Sequence, residues 1–132
     1  MLTGGCYCGA VRYEVRGKPV HLTNCHCSIC RRTTGAPYVT WFSVPLADFR
    51  LVQGTPTTFH STQRALRRFC GQCGTQLIFQ HEDDALYIDV TTGSLDDPES
   101  CPPQDDTYLG DKLGWVSTAG QLPAYVRSRS AG

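Results

Sequence analysis

"AVRYEVR", residues 10–16, alternates with a period of two: Val11, Tyr13 and Val15 fall on one side, and Arg12, Glu14 and Arg16 on the other. Successive side chains of an extended chain point to opposite faces, so this is the pattern of a strand with one face buried and the other wet. The habit recurs in "YVTWFSV" (38–44), "TTFHS" (57–61), "TQLIFQ" (75–80) and "ALYIDVTT" (85–92), all rich in β-branched and aromatic residues. Gly17-Lys18-Pro19, Gly54, Pro56 and Gly71 punctuate them. The best helical stretch is one or two turns from Ser28 to Thr34, stopped by Gly35 and Pro37. The acidic, proline-bearing "DDPESCPPQDD" (96–106) reads as a surface loop. The expectation is an all-β domain of short antiparallel strands with a minor helical turn.

A chain of 132 residues makes one domain whose modest core gains from a staple. Twelve basic and twelve acidic side chains cancel, so no broad field draws the chain to nucleic acid or an anionic membrane. The opening "MLTGGCYCGA" has neither a basic nor an apolar region of a secretory signal, and no apolar run approaches the roughly eighteen residues of a membrane span. A soluble, cytoplasmic protein is expected, and in a reducing compartment its eight cysteines read as metal ligands rather than disulfides.

The cysteines fall into short groups. Cys6 and Cys8 form C-x-C before Gly9; Cys25, Cys27 and Cys30 lie in "NCHCSIC" (24–30); Cys70 and Cys73 form C-x-x-C before Gly74; Cys101 stands alone. In "CGQCG" (70–74) the glycines let the chain curl so that backbone N–H groups can point at the sulfurs, and such a turn supplies two thiolates to one tetrahedral ion. Cys6 and Cys8 are the natural complement, although they could instead share an ion with two of the triple. A closed four-thiolate zinc of this kind is structural. The triple then stands by itself. Three thiolates with an open fourth position is the arrangement of a zinc that does chemistry, and an all-sulfur shell favours a thiol visitor, which the metal would hold as thiolate. His26, His21 or Cys101 could instead close that shell.

"GGCYCGAVRYEV", "NCHCSICRRTTGAPYVTWFSV", "RRFCGQCGTQLIF" and "VTTGSLDDP", followed by "GDKLGW" (110–115) and "LPAY" (122–125), resemble the glutathione-dependent formaldehyde-activating enzyme family, which includes centromere-protein-V-like proteins. The likeness runs in order along nearly the whole chain. It implies a single zinc-binding domain over 1–132, with a core of about 3–126, folded as several small coiled antiparallel β-sheets. It also implies two zinc ions, a structural one at Cys6, Cys8, Cys70 and Cys73 and a catalytic one at Cys25, Cys27 and Cys30. The type activity is a carbon–sulfur lyase reaction joining formaldehyde to glutathione as S-(hydroxymethyl)glutathione. Members often carry a histidine ahead of the Lys and Trp of the recurring segment; here "PQDDTYLGDKLGW" offers Asp106.

In such a reaction the metal supplies Lewis acidity and orientation, and no catalytic triad is needed. Arg31 and Arg32 directly follow the last ligand and are candidates to meet the carboxylates of a glutathione-like substrate. Lys112 and Trp115 belong to the recurring segment, with Trp115 a candidate pocket wall. Trp41 and Phe42 read as core, and His60 and His81 are assigned no role. Two other readings are a binding module presenting Arg31, Arg32, Arg64, Arg67 and Arg68 as one patch, and a thiol redox or zinc sensor built on the triple. Zero net charge weighs against nucleic acid as the partner.

Overall fold

The computed structural model describes residues 1–118, 122–127 and 129; positions 119–121 of the expected 3–126 core lie outside them. The strand at 10–16 is there, as β2 (Arg12–Val15), with Tyr13 and Val15 buried and Arg12 and Glu14 half-buried. It is the middle strand of a three-stranded antiparallel sheet between β1 (Leu2–Gly5) and β5 (Phe49–Gln53). Its outward residues are tied off by ion pairs, Arg12 with Asp96 and Glu14 with Arg50.

A second sheet holds seven strands in the spatial order β10 (Asp105–Thr107), β3 (Val20–Cys25), β4 (Val39–Pro45), β9 (Tyr87–Thr91), β8 (Gln76–His81), β7 (Ala65–Phe69) and β6 (Thr57–Thr62). Its two faces do different jobs because strand parity separates them. Phe42, Val44, Ile88, Val90 and Ile78 point one way and are at most 2% exposed. They pack with Val11, Tyr13 and Val15 into the main core between the sheets. The other parity forms cross-strand rows: Ser43 pairs with Asp89, Asp89 with Phe79, and Phe79 with Arg67, while Trp41 pairs with Thr23. That polar and aromatic face floors the cavity described below.

The expected helix is α1 (Ser28–Thr34), ended by Gly35 in a left-handed conformation. One expectation needs correction. Residues 96–106 are not all loop: β10 begins at Asp105 and pairs parallel with β3, Asp105 opposite Thr23 and Thr107 opposite Cys25. It is the one parallel pair among the described strands. It arises because the chain returns to the open edge of β3, where unpaired backbone groups offer the last ladder of the sheet. Among the described residues, no helix is long and apolar enough to cross a membrane.

Candidate metal centres and the cavity beside the second

The connection from β1 to β2 carries Cys6 and Cys8, and the connection from β7 to β8 carries Cys70 and Cys73. Both are tight turns closed by a left-handed glycine. Gly9 (φ 81°) donates its N–H to the Cys6 carbonyl at 3.1 Å, and Gly74 (φ 81°) to the Cys70 carbonyl at 2.8 Å. A side chain bearing Cβ disfavours that conformation, which explains the glycine after each cysteine pair. The turns aim backbone N–H groups at sulfur, Val11 at Cys6 Sγ (3.2 Å) and Gln72 at Cys70 Sγ (3.4 Å).

The four sulfurs lie within 4.8 Å of one another. Tetrahedral zinc with bonds of about 2.3 Å needs neighbouring sulfurs about 3.8 Å apart. Cys6 to Cys8 and Cys8 to Cys70 each measure 3.7 Å. The donor set therefore fits a closed tetrahedral ion, and it would bridge the two sheets. The thiols are unequal without one: the Thr75 hydroxyl, 3.2 Å from Cys73 Sγ, and the Thr75 backbone draw the Cys73 thiol down to about 5.

Cys25, Cys27 and Cys30 also bring their sulfurs within 4.8 Å of one another. Local structure does this economically. Cys25 ends β3, Cys27 is the N-cap of α1, and its Sγ accepts the Cys30 N–H at 3.2 Å. An N-cap side chain folds back over the first turn, so C-x-x-C at this place turns both sulfurs to one side. The three thiols cannot all ionise together unaided. Hydrogen bonding from Cys30 lowers Cys25, whereas the partnership with Cys25 and then burial raise Cys30, and burial raises Cys27. A divalent cation removes that conflict, so this set fits a metal as well.

None of the three alternative closing residues joins the triple. His26 turns away between its two cysteine neighbours and is buried, with Nε2 2.9 Å from Asp106 Oδ1. That contact, and then Asn24, hold the Asp106 carboxyl below the usual range. Cys101 packs in the main core. His21, at φ 52°, lines the cavity, its ring centroid 6.0 Å from that of Tyr87.

The triple opens on a cavity of about 570 Å³. Its floor is the alternate face of the seven-stranded sheet, with Trp41, Phe79 and Arg67 nearest the sulfurs, and its rim includes Tyr108 and Asp111. Sequence reading missed Arg67, counting it with Arg64 and Arg68 in an exposed patch. Arg67 is 4% exposed and faces the cavity because its parity in β7 matches Ala65, while Arg68 has the opposite parity and Arg64 pairs with Glu82 and Asp83 in the turn. The five arginines form no single patch. The signal that could have found it is a charge at a buried parity, hidden by the adjacent Arg68. His81, given no role from sequence, lines the cavity too. Arg31 donates Nη1 to the Asp111 carbonyl at 3.0 Å, and Lys112 is half-buried with Nζ 3.5 Å from the Leu113 carbonyl. Arg32 and Trp115 are exposed, and none of these four lines the cavity itself.

Fold and site together define an all-β protein with two cysteine centres, one of four thiols between sheets and one of three thiols beside a cavity. The family described as "Glutathione-dependent formaldehyde-activating enzyme" matches residues 1–111, and the chain belongs to that family. It is 34% identical over 128 residues to the Halomonas elongata protein named "Putative glutathione-dependent formaldehyde-activating enzyme", covering 88% of this chain and 80% of that one. It is also similar to the crystal structure of a Rhodobacter sphaeroides protein, with a TM-score of 0.66 and 27% identity over 80% of this chain and 99% of that one.

Proposed function

We propose that the protein is a zinc-dependent carbon–sulfur lyase of the formaldehyde-activating type, joining a small glutathione-like thiol to an aldehyde at the cavity. The observation that carries this is the contrast between the centres: the four-thiol set closes on itself, whereas the three-thiol set meets open volume. Zinc held by Cys25, Cys27 and Cys30 supplies Lewis acidity and favours the thiolate form of an incoming thiol at neutral pH. The reaction balances without a redox partner. Sulfur bonds to the aldehyde carbon, the carbonyl electron pair moves to oxygen, and that oxygen takes up one proton, as many as the thiol released.

The chain's own residues confine the reactants. Trp41 and Phe79, with ring centroids 6.3 Å apart, give an apolar wall beside the sulfurs, and Ser43 and Asp89 give the same floor a polar end. We assign Arg31 and Lys112, next to rim residue Asp111, to the outer carboxylates of a glutathione-like substrate, with Arg32 and Trp115 further out along the same two segments. The structural role goes to zinc at Cys6, Cys8, Cys70 and Cys73, within one domain spanning the chain and working in the cytoplasm.

The test is X-ray absorption at the zinc edge of fully loaded protein, titrated with glutathione at neutral to mildly alkaline pH, alongside aldehyde consumption. Added thiol should raise the sulfur coordination of one of two zincs, and aldehyde should then disappear faster than with free thiol. An edge indifferent to thiol would exclude this function.

A further inference from the structure

Arg67 is a buried cation without a direct ion-pair partner among the described residues. Its guanidinium carbon lies 4.8 Å from the Phe79 ring centroid and 5.9 Å from that of Trp41. Nη2 reaches Cys30 Sγ at 3.6 Å, while Nε and Nη1 are buried without a hydrogen-bond partner. Among the described residues no carboxylate forms an ion pair with it. Asp89, two strands away in the same row, instead accepts a hydrogen bond from Ser43 Oγ at 2.5 Å. A guanidinium taken out of water without a counter-ion is costly, and two aromatic faces offset only part of that cost. Asp89 and Arg67 feel each other only through space, and the potential anion in contact with the guanidinium is the Cys30 sulfur. Three thiolates and one divalent cation sum to a single negative charge, and Cys30 is the ligand that Arg67 touches.

We propose that Arg67 is the counter-charge of the second metal centre: it neutralises the loaded Cys25–Cys27–Cys30 shell, strengthens its hold on the cation, and biases its fourth position toward an anionic ligand. An incoming thiolate would raise the charge of the shell to minus two, and Arg67 brings the whole back to minus one. A neutral ligand such as imidazole adds no charge and is indifferent to Arg67. The bias toward thiolate rests on the proposed function; the hold on the cation does not.

The experiment compares wild type with Arg67→Gln and Arg67→Lys. Zinc affinity of the second centre is measured by chelator competition, and denaturant stability with that centre loaded and stripped. Arg67→Gln should lower second-centre affinity about tenfold or more. It should leave the first centre unchanged and destabilise the loaded protein more than the stripped one, and Arg67→Lys should recover most of the affinity. Equal destabilisation of both forms with unchanged affinity would overturn the proposal and leave Arg67 a packing residue. If neither variant folds, nitrogen-15 NMR of wild type decides: the Arg67 Nε–H resonance should move and gain exchange protection on loading the second centre, and an unmoved resonance overturns the proposal. Glutathione and imidazole are then titrated into cobalt-loaded protein, read by the visible spectrum. Arg67→Gln should weaken glutathione and spare imidazole; equal effects on both would overturn the ligand bias. A wild-type centre that takes up metal with the Arg67 dependence above but accepts no thiol would sink the proposed function and support the counter-charge.

Discussion

Asp106 Oδ1 sits 2.9 Å from Nε2 of His26, an imidazole only 2% exposed whose Nδ1 has no partner. The contact spans β10 and the end of β3, reinforced by the His26 N–H donating to the Thr107 carbonyl at 3.0 Å. Asp106→Ala therefore strands a buried ring with neither nitrogen bonded and should cost about 1–3 kcal/mol in denaturant unfolding. Asp106→Asn keeps an acceptor in place and should recover much of it. Equal stability of Asp106→Ala and wild type would show that the ring finds water instead.

The two metal centres should respond differently to loss of a ligand. Cys70→Ser or Cys6→Ser breaks the only thiol cluster that joins the two sheets among the described residues, and should destabilise the fold by several kcal/mol, on the order of a structural zinc's contribution. Cys27→Ser should leave a folded protein holding about one zinc instead of two. Metal analysis with thermal melting checks both. Comparable unfolding by Cys27→Ser and Cys70→Ser would make the triple structural.

Glutathione recognition should localise to the rim. Arg31 is anchored to the Asp111 carbonyl; if it meets a substrate carboxylate as proposed, Arg31→Ala should raise the KM for glutathione severalfold while changing kcat little. A neutral thiol of similar size should show no such change. Steady-state kinetics at matched zinc content decides, and a pure kcat defect would place Arg31 elsewhere in the chemistry.

Alkaline stability should depend on Tyr13. Its hydroxyl is bonded to Ser94 Oγ at 2.6 Å, and burial pushes it up to about 12. The folded value lies above the unfolded one of about 10, so the contribution is present in full below pH 10 and lost as pH rises through 12. Unfolding free energy should fall by about 3 kcal/mol over that window. Tyr13→Phe should start lower, having lost the hydrogen bond, and show a flatter decline. Tyrosinate absorbance should show one group titrating last, and its absence in Tyr13→Phe identifies it.

Strand parity made half of this molecule readable. β2, β4, β6, β8 and β9 stand where alternation and β-branched residues place them, and the helix runs over Ser28 to Thr34 as its stop signals suggest. β3 was not legible because its alternation is broken by His21 at φ 52° and by a register shift between Val20 and Thr23. β7 was masked by consecutive arginines that look uniformly solvated until the register separates them. The grouping of thiols was legible because ligand spacing is local chemistry. The cavity floor was not, because its row of Ser43, Asp89, Phe79 and Arg67 comes from three strand registers, one of them joining β4 to the distant β9, that no single stretch encodes.

The parallel pairing of β10 with β3 joins segments far apart in the chain, which bears on the order in which they emerge during synthesis. Every ligand of the four-thiol centre has been translated by Cys73, so that staple can form on a nascent chain. The edge beside Cys25 stays bare until Thr107 has emerged and docked. In a ribosome-bound chain halted between these two points both sets of thiols would be complete, while the edge beside Cys25 would still lack β10, so the vectorial direction of synthesis would place the cross-sheet cluster ahead of the last strand at the cavity.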